Sequence, residues 1–196
     1  RSQFKIATMN KQFHSCAPDP DDLGKLAIDY LSEERASSLI FEPSELIDFK
    51  MAWDWQKKWQ QTLLDKPLSQ QAVWILQHFE CYTLGRGANE KNLLFNSKQP
   101  PSDLYRVDRG GEVTHHLPGQ LVVYLVLDLH RYRTDLNWYL RELEHVLLDV
   151  LIGLGLYGKT IEGITGVWVK GLKVASIGVG CRRWVTQHGL ALNVDC

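Results

Sequence analysis

Gln120-Leu-Val-Val-Tyr-Leu-Val-Leu-Asp-Leu129 is a nearly continuous apolar run. It is far too short to span a bilayer, and an apolar run with no polar alternation reads as a strand covered on both faces. Downstream, Leu136, Tyr139, Leu140, Leu143, Leu147, Val150, Leu151 and Leu154 recur at helical spacing. Thr134 or Asp135 can cap that helix, and Gly153 and Gly155 can end it. Beyond it, 166–169, 173–179, 182–186 and 190–194 are short β-rich stretches separated by glycines, which predicts a meander. Upstream, Phe49, Ala52, Trp53, Gln56, Trp59 and Leu63 mark a second helical face closed off by Pro67. Residues 72–79 read as a strand running into Cys81-Tyr-Thr-Leu-Gly85, and 104–107 as a short strand meeting Gly110-Gly111. Helices mixed with antiparallel strands predict one α/β or α+β domain from residue 45 onward.

The chain has 196 residues, enough for a single domain with a full core. It is 44% hydrophobic and 23% charged, too apolar for wholesale disorder. Lys+Arg 22 against Asp+Glu 23 leaves a formal charge of −1. That balance argues against nucleic acid or a membrane surface as the main partner, since both call for a concentrated basic patch. The 4 cysteines, at 16, 81, 181 and 196, form no CxxC pair, which fits a reducing compartment. Residues 1–44 read as an N-terminal extension, with a turn cluster at 18–22 and an amphipathic stretch through Leu23, Leu26, Ile28 and Leu31. The extension lacks a secretory apolar region and carries acids at 19, 21, 22, 29, 33 and 34, which predicts a cytoplasmic protein. Arg1 in place of Met, and an end directly after an apolar run, raise the expectation of a longer gene product.

Gly153-Leu-Gly-Leu-Tyr-Gly-Lys-Thr160 fits the GxxxxGK[ST] phosphate loop letter for letter. That loop needs a strand before it and a helix after it; here the order is reversed, and a glycine-rich helix end explains the same letters. The densest polar and glycine cluster is Arg109-Gly110-Gly111-Glu112-Val113-Thr114-His115-His116-Leu-Pro-Gly-Gln120. Paired glycines let a ligand approach main-chain N–H groups, and Arg109 can position a carboxylate or phosphate. A strand over 112–116 would turn His115 and His116 to opposite faces, against both ligating one metal. The competing reading is a plain hairpin with a solvated arginine and one core histidine. Lys173, between Leu172 and Val174, either points to water or points inward with a lowered pKa that suits it to proton transfer. His188, before Gly189, reads as structural.

Taken together and in order, these stretches resemble the lipoyl(octanoyl) transferase family, from about Trp53 to the C-terminus. The matching motifs are Tyr82-Thr-Leu-Gly-Arg86, Arg109 through His116 leading into Pro118-Gly-Gln-Leu-Val-Val-Tyr124, Gly166-Val-Trp168, Lys173-Val-Ala-Ser-Ile-Gly178-Val and His188-Gly-Leu-Ala-Leu-Asn193-Val. The resemblance implies a fold shared with biotin and lipoate protein ligases, a mixed, largely antiparallel sheet with packed helices. It implies that Arg109 through His116 form one wall of an acyl site, completed by Ser176, Ile177 and Gly178 and by Gly189, Leu190 and Ala191. It further implies that Lys173 assists proton transfer beside a nucleophilic cysteine. That cysteine would take an octanoyl group from acyl carrier protein as a thioester and pass it to a lysine of a lipoyl domain, in a 2-oxoacid dehydrogenase complex or the glycine cleavage H protein. No metal, ATP or other cofactor is expected, because thioester exchange is close to isoenergetic and a thiolate is a good leaving group.

Two departures accompany the match. Leu117 stands where the family has glycine, and the family's nucleophile belongs to a Pro-Cys-Gly segment downstream of the strand at 190–194, so the expectation is that the thiol lies beyond Cys196. The rival readings are an ATP-dependent lipoate or biotin ligase of the same fold, and a catalytically dead acyl-binding module.

Overall fold

The computed structural model describes residues 38–196. Cys16, the turn cluster at 18–22 and the amphipathic stretch through Leu31 lie outside the described residues. Strands β1 (Ser38–Phe41) and β2 (Leu46–Ile47) precede helix α1 (Phe49–Asp65). Then come β3 (Gln71–His78), β4 (Cys81–Leu84), β5 (Asp103–Arg106), β6 (Val113–His116) and β7 (Gln120–Val126). Helix α2 (Leu136–Gly153) leads into β8 (Gly158–Ile161), β9 (Ile164–Val169), β10 (Leu172–Arg182) and β11 (Val185–Asn193).

The main sheet has the order β1-β3-β7-β11-β10-β9-β8, with β2 also paired to β3. It is antiparallel except where β1 and β2 run parallel to β3. A three-stranded sheet, β5-β4-β6, lies beside it. The expected mixed, largely antiparallel α+β architecture is therefore present. Because β1 pairs with β3 from Ser38↔Gln71 to Phe41↔Trp74, the folded unit extends upstream of the boundary expected at 45.

Strand β7 explains the two-layer plan. Val122, Tyr124 and Val126 point into a core shared with Trp59 and Leu63 of α1. Leu121, Val123 and Leu125 pack instead against a second core built on Leu143, Leu147 and Leu151 of α2. Each face of the apolar run thus meets its own helix, as the lack of polar alternation implies.

Asp48 caps α1 by accepting the Met51 N–H at 3.0 Å. The buried face of α1 includes Gln60, which the periodicity did not single out, while Trp53 is only half-buried. In α2, capped by Asp135 at 3.0 Å from Trp138 N, the buried line is Tyr139, Leu143, Leu147 and Leu151. Val150 and Leu154, placed on the stripe by sequence, are exposed. Val150 lies about 100° around the helix from Leu151, and Leu154 is the C-cap beyond the last turn. At that end Leu156 N–H bonds to Leu151 O at 2.8 Å and Gly155 N–H to Ile152 O at 2.9 Å, with Gly155 at φ 74. This is a Schellman ending, and Gly158-Lys159-Thr160 continues into β8. The letters of the phosphate loop are thus a helix exit.

The predicted four-piece meander is corrected in one respect. Residues 182–186 are not a strand of their own: Arg183 (φ 49) and Trp184 (φ 66) form a two-residue turn between the long strands β10 and β11. Right-twisted hairpins favour positive φ at both turn positions, and the ladder from Arg182↔Val185 to Ala175↔Leu192 holds these two non-glycine residues there. Among the described residues no helix is long and apolar enough to cross a membrane.

Truncating the buried line and its exposed flank separates the two kinds of position. Leu147→Ala should lower unfolding free energy by about 2–5 kcal/mol, and Leu154→Ala should change it by less than about 0.5 kcal/mol, as read by urea titration. Equal losses at both positions would contradict this description of α2.

Candidate functional site: the Arg109 wall and the glycine floor

The loop between β5 and β6 crosses from the small sheet to the large one. Gly110 N–H donates to Val179 O of β10 at 3.0 Å, and Arg86 N–H donates to Arg109 O at 2.9 Å. Across the main sheet Gly178 of β10 pairs with Gly189 of β11, which pairs in turn with Tyr124 of β7. A side chain at Gly178 would come within 3.0 Å of Arg109 Cδ and of Gly110 O. Absence of a side chain at Gly178 is what lets Arg109 and Gly110 lie over the sheet. Of the expected residues, Arg109 and Gly110 are thus brought against Gly178.

Not every expected member contributes a side chain. Ile177 and Leu190 turn to the opposite face, into the α2 core, so they offer only backbone to the floor. Ala191 lies on the α1 side, Gly178 faces Arg109, and Ser176, two residues from Gly178, shares its face, whereas a side chain at Gly189 would meet Val123 O and Leu125 Cδ1 of β7. Glu112 is exposed and accepts from Asn89 N at 3.1 Å and Asn92 Nδ2 at 2.9 Å, bracing a neighbouring loop. Val113 packs in a small cluster with Leu84 and Leu93. Gly111 makes the turn at φ 84. The two histidines diverge as predicted. His115 is outward, stacked on Tyr82 at 4.2 Å and 3.0 Å from Glu80. His116 is buried.

Arg109 is buried, and its bonds go to neutral oxygens. Nη1 donates to Gly110 O at 2.9 Å; Nη2 donates to Thr83 O, Thr83 Oγ1 and Thr114 Oγ1 at 3.0, 2.8 and 2.9 Å. Burial lowers its pKa from the ordinary value, and among the described residues no carboxylate pairs with it. A buried guanidinium without a counter-charge is an electrostatic site for a carbonyl oxygen or a developing oxyanion.

From Arg109 a polar chain runs through the interior. Thr83 Oγ1 lies 3.4 Å from His116 Nε2, and His116 Nδ1 is 2.7 Å from Gln120 Oε1. Gln120 Nε2 donates to His115 O at 3.1 Å and to Asn193 Oδ1 at 2.9 Å. These donations leave Gln120 Oε1 as acceptor, so the proton of His116 sits on Nδ1 and Nε2 accepts from Thr83. Beside it, His78 Nδ1 donates to Ile47 O at 2.7 Å, and its Nε2 accepts from Tyr124 OH at 2.7 Å. His188, at φ 61, donates its backbone N–H to Gln56 Oε1 at 2.8 Å. The sequence does not single out Thr83, His78 or Tyr124 for this chain: Thr83 and Tyr124 carry only the signal of belonging to matching motifs, and His78, in the strand at 72–79, carries none.

Lys173 stands at the start of β10, opposite Trp168 of β9, with Nζ 5.3 Å from the Trp168 ring centre. Its side chain is exposed, yet partial desolvation lowers its pKa from the usual lysine value. Strict alternation from Ala175 and Ile177 would aim it at α2. The pairing slips between Trp168↔Lys173 and Val167↔Ala175, leaving Val174 as an extra residue. That bulge turns Lys173 to the face of Ser176 and Gly178. Among the described cysteines, Cys81 is buried with its thiol pushed up to about 12, and burial raises Cys181 as well, so neither is disposed to form a thiolate. Among the described residues no cluster of three His, Cys, Asp or Glu side chains stands ready for a metal.

Desolvation depresses the pKa of His78 from 6.5 to about 4 and those of His116 and His188 from 6.5 to about 3. Once unfolded, each regains its ordinary value, so the unfolded chain binds more protons below pH 6.5. Stability is therefore full above about pH 6.5 and declines as pH falls through 6.5 toward 4 and 3. Denaturation midpoints should drop clearly between pH 7.5 and pH 5; equal midpoints would show that these imidazoles are not held neutral.

Comparison with known proteins gives the family. Residues 48–196 match the model of the lipoyl protein ligase A/B catalytic domain. A protein of Prochlorococcus marinus (strain MIT 9211) named octanoyltransferase is 74% identical over 188 residues, which cover 96% of this chain and 80% of that protein. An octanoyltransferase of Synechococcus sp. (strain WH7803) is 58% identical, covering 90% of this chain and 74% of its own length. Among solved structures, the bi-partite lipoate protein ligase of Thermoplasma acidophilum superposes with a TM-score of 0.57 at 16% identity, over 81% of this chain and 61% of that one. At that identity the likeness speaks for the fold alone. The chain belongs to the lipoyl protein ligase A/B catalytic domain family and stands, within it, among the octanoyltransferases.

Proposed function

We propose that the protein transfers an octanoyl group to a lysine of a lipoyl domain, with octanoyl acyl carrier protein as donor and a cysteine thioester as the intermediate. The observation that carries this reading is Gly178 lying directly under Arg109, on the same sheet face as Lys173. The bare backbone at Gly178 lets the Arg109 loop close on the sheet, and the acyl chain is assigned to the face beside it, where each buried methylene is worth about 0.8 kcal/mol. Arg109 lies where it can meet the negative charge that develops on the thioester oxygen.

In the first half-reaction a cysteine thiolate attacks the thioester carbonyl; the new C–S bond forms and the bond to the carrier's sulfur breaks, releasing the carrier thiolate. In the second, the acceptor lysine's amine attacks, the enzyme C–S bond breaks, and neutral Lys173 takes the proton shed by the amine. The lowered pKa of Lys173 suits both tasks: as an ammonium it favours a nearby thiolate, and it gives up its proton more readily than a solvated lysine. The attacking thiol is assigned to the family's Pro-Cys-Gly segment downstream of β11. His116, Thr83 and Gln120 hold Arg109 and the floor in register, and are given no bond-breaking role.

The reading includes acceptor lipoyl domains of 2-oxoacid dehydrogenase complexes or the glycine cleavage H protein, and a cytoplasmic location. The free thiols of Cys81, Cys181 and Cys196 fit a reducing compartment.

Full-length enzyme incubated with octanoyl carrier protein and a lipoyl domain should add one octanoyl mass to the domain without ATP. Octanoate- or lipoate-driven ATP–pyrophosphate exchange would favour a ligase instead, and absence of any acylated-cysteine mass would favour a binding module. Lys173→Ala should lower kcat by at least about 100-fold, the usual scale of acid–base assistance, with an unchanged melting curve. Near-normal turnover in that variant would remove Lys173 from the chemistry.

A further inference from the structure

Glu144 is a carboxylate sealed in the α2 layer, at 1% exposure, where an apolar residue would continue the buried line. Burying an anion there is costly unless specific partners hold it. Its Oε1 accepts the Gly166 N–H at 2.9 Å and its Oε2 pairs with Arg141 Nη1 at 2.6 Å. Arg141 Nη2 reaches Thr165 Oγ1 at 3.3 Å, so the pair grips two consecutive residues of β9.

Gly166 is the platform beneath Lys173. It has φ 139, and a Cβ there would come within 2.6 Å of Lys173 Cε and 3.3 Å of Nζ. The lysine stem lies where a side chain would be, with Nζ 5.3 Å from the Trp168 ring centre. The Val174 bulge that turns Lys173 to this face interrupts the β9–β10 pairing next to Gly166. The Gly166 N–H is satisfied from the other side of the sheet by Glu144. Among the described residues Lys173, itself exposed, makes no ion pair of its own, and its stem lies against Gly166 and Trp168.

We infer that Glu144 is a positioning residue for Lys173: braced by Arg141, its carboxylate pins the Gly166 backbone at the bulge and so fixes the lysine stem over Gly166 and Trp168 on the acyl-site face. The inference rests on the proposed acid/base role of Lys173 for its catalytic consequence, but the placement itself stands apart from that role.

Three variants in the full-length enzyme test it. Glu144→Gln keeps an acceptor for Gly166 N–H and should hold kcat within about threefold, whereas Glu144→Met, of similar volume without an acceptor, should lower kcat about tenfold or more at nearly constant KM for octanoyl carrier protein. In a Lys173→Ala background Glu144→Met should cost nothing further, because it acts through the missing lysine. A tenfold loss there as well, or a parallel rise in KM, would overturn the inference. Independently of activity, the Lys173 ε-methylene signal in 13C-lysine-labelled protein, identified by its loss in Lys173→Ala, should be shifted upfield by the Trp168 ring. It should keep that shift in Glu144→Gln and lose it in Glu144→Met. An unchanged shift in folded Glu144→Met would also overturn the placement. If Glu144→Met fails to fold, Arg141→Met, at a partly exposed position, is the substitute, and the upfield shift should weaken there; full retention would count against the inference. If Lys173→Ala transfers normally, the acid/base reading falls, and the spectrum alone decides the placement.

Discussion

A strand buried on both faces has no water to satisfy its backbone, and β11 is such a strand: every residue from Val185 to Leu192 is buried. Its N–H and C=O groups must find partners in neighbouring elements, and that demand shapes much of the molecule. From Gly189 to Leu192 it is paired on both sides, with β7 and β10. Before Gly189 the β7 ladder has not begun, and other groups fill in. Gln60 Nε2 donates to Val185 O at 2.8 Å, Gln56 accepts the His188 N–H, and Thr186 N–H donates to Leu127 O at 2.9 Å. The two buried glutamines of α1 thus have a physical reason: they close the gap where β7 turns away.

The same strand pairs at Gly189 with Gly178, the residue beneath Arg109, so the constraint on the backbone and the shape of the candidate site have one origin. A side chain at Gly189 would meet Val123 O at 2.2 Å, because the strands are pressed together under the α1 layer. Above the floor, the small sheet is joined to the large one by Gly110 N–H on Val179 O and by the polar chain from Arg109 to Asn193. A buried cation satisfied only by neutral oxygens costs stability. Its place over the floor makes sense if it meets charge in a reacting group.

Much of the architecture is legible in the residues, for identifiable reasons. The apolar run of β7, the α1 face and the Asp135 cap of α2 depend on local period and capping chemistry, and these read directly. The opposite orientations of His115 and His116 follow from strand alternation alone. What could not be read is set by tertiary context. Val150 and Leu154 have the right composition for the buried stripe but the wrong angle or position. Arg183 and Trp184 make a turn that propensity would assign to Asn-Gly. Glu144 looks like a surface charge until Gly166 and Arg141 are seen beside it. The Val174 bulge is the hardest case: period-two reading aims Lys173 at α2, and a single extra residue, invisible in composition, reverses its side.

The turns at Lys170–Gly171 and Arg183–Trp184 have a consequence for the order of assembly. They join β9, β10 and β11 into consecutive hairpins, so the lysine and its glycine floor are made from contacts close along the chain. The wall comes from residues some seventy positions upstream and reaches the floor only by closing a long loop. Loop-closure entropy favours the nearer contacts first. By that ordering Lys173 and the hairpins around it take shape before the loop carrying Arg109 closes on them, and Arg109 is buried only when the platform it covers already exists.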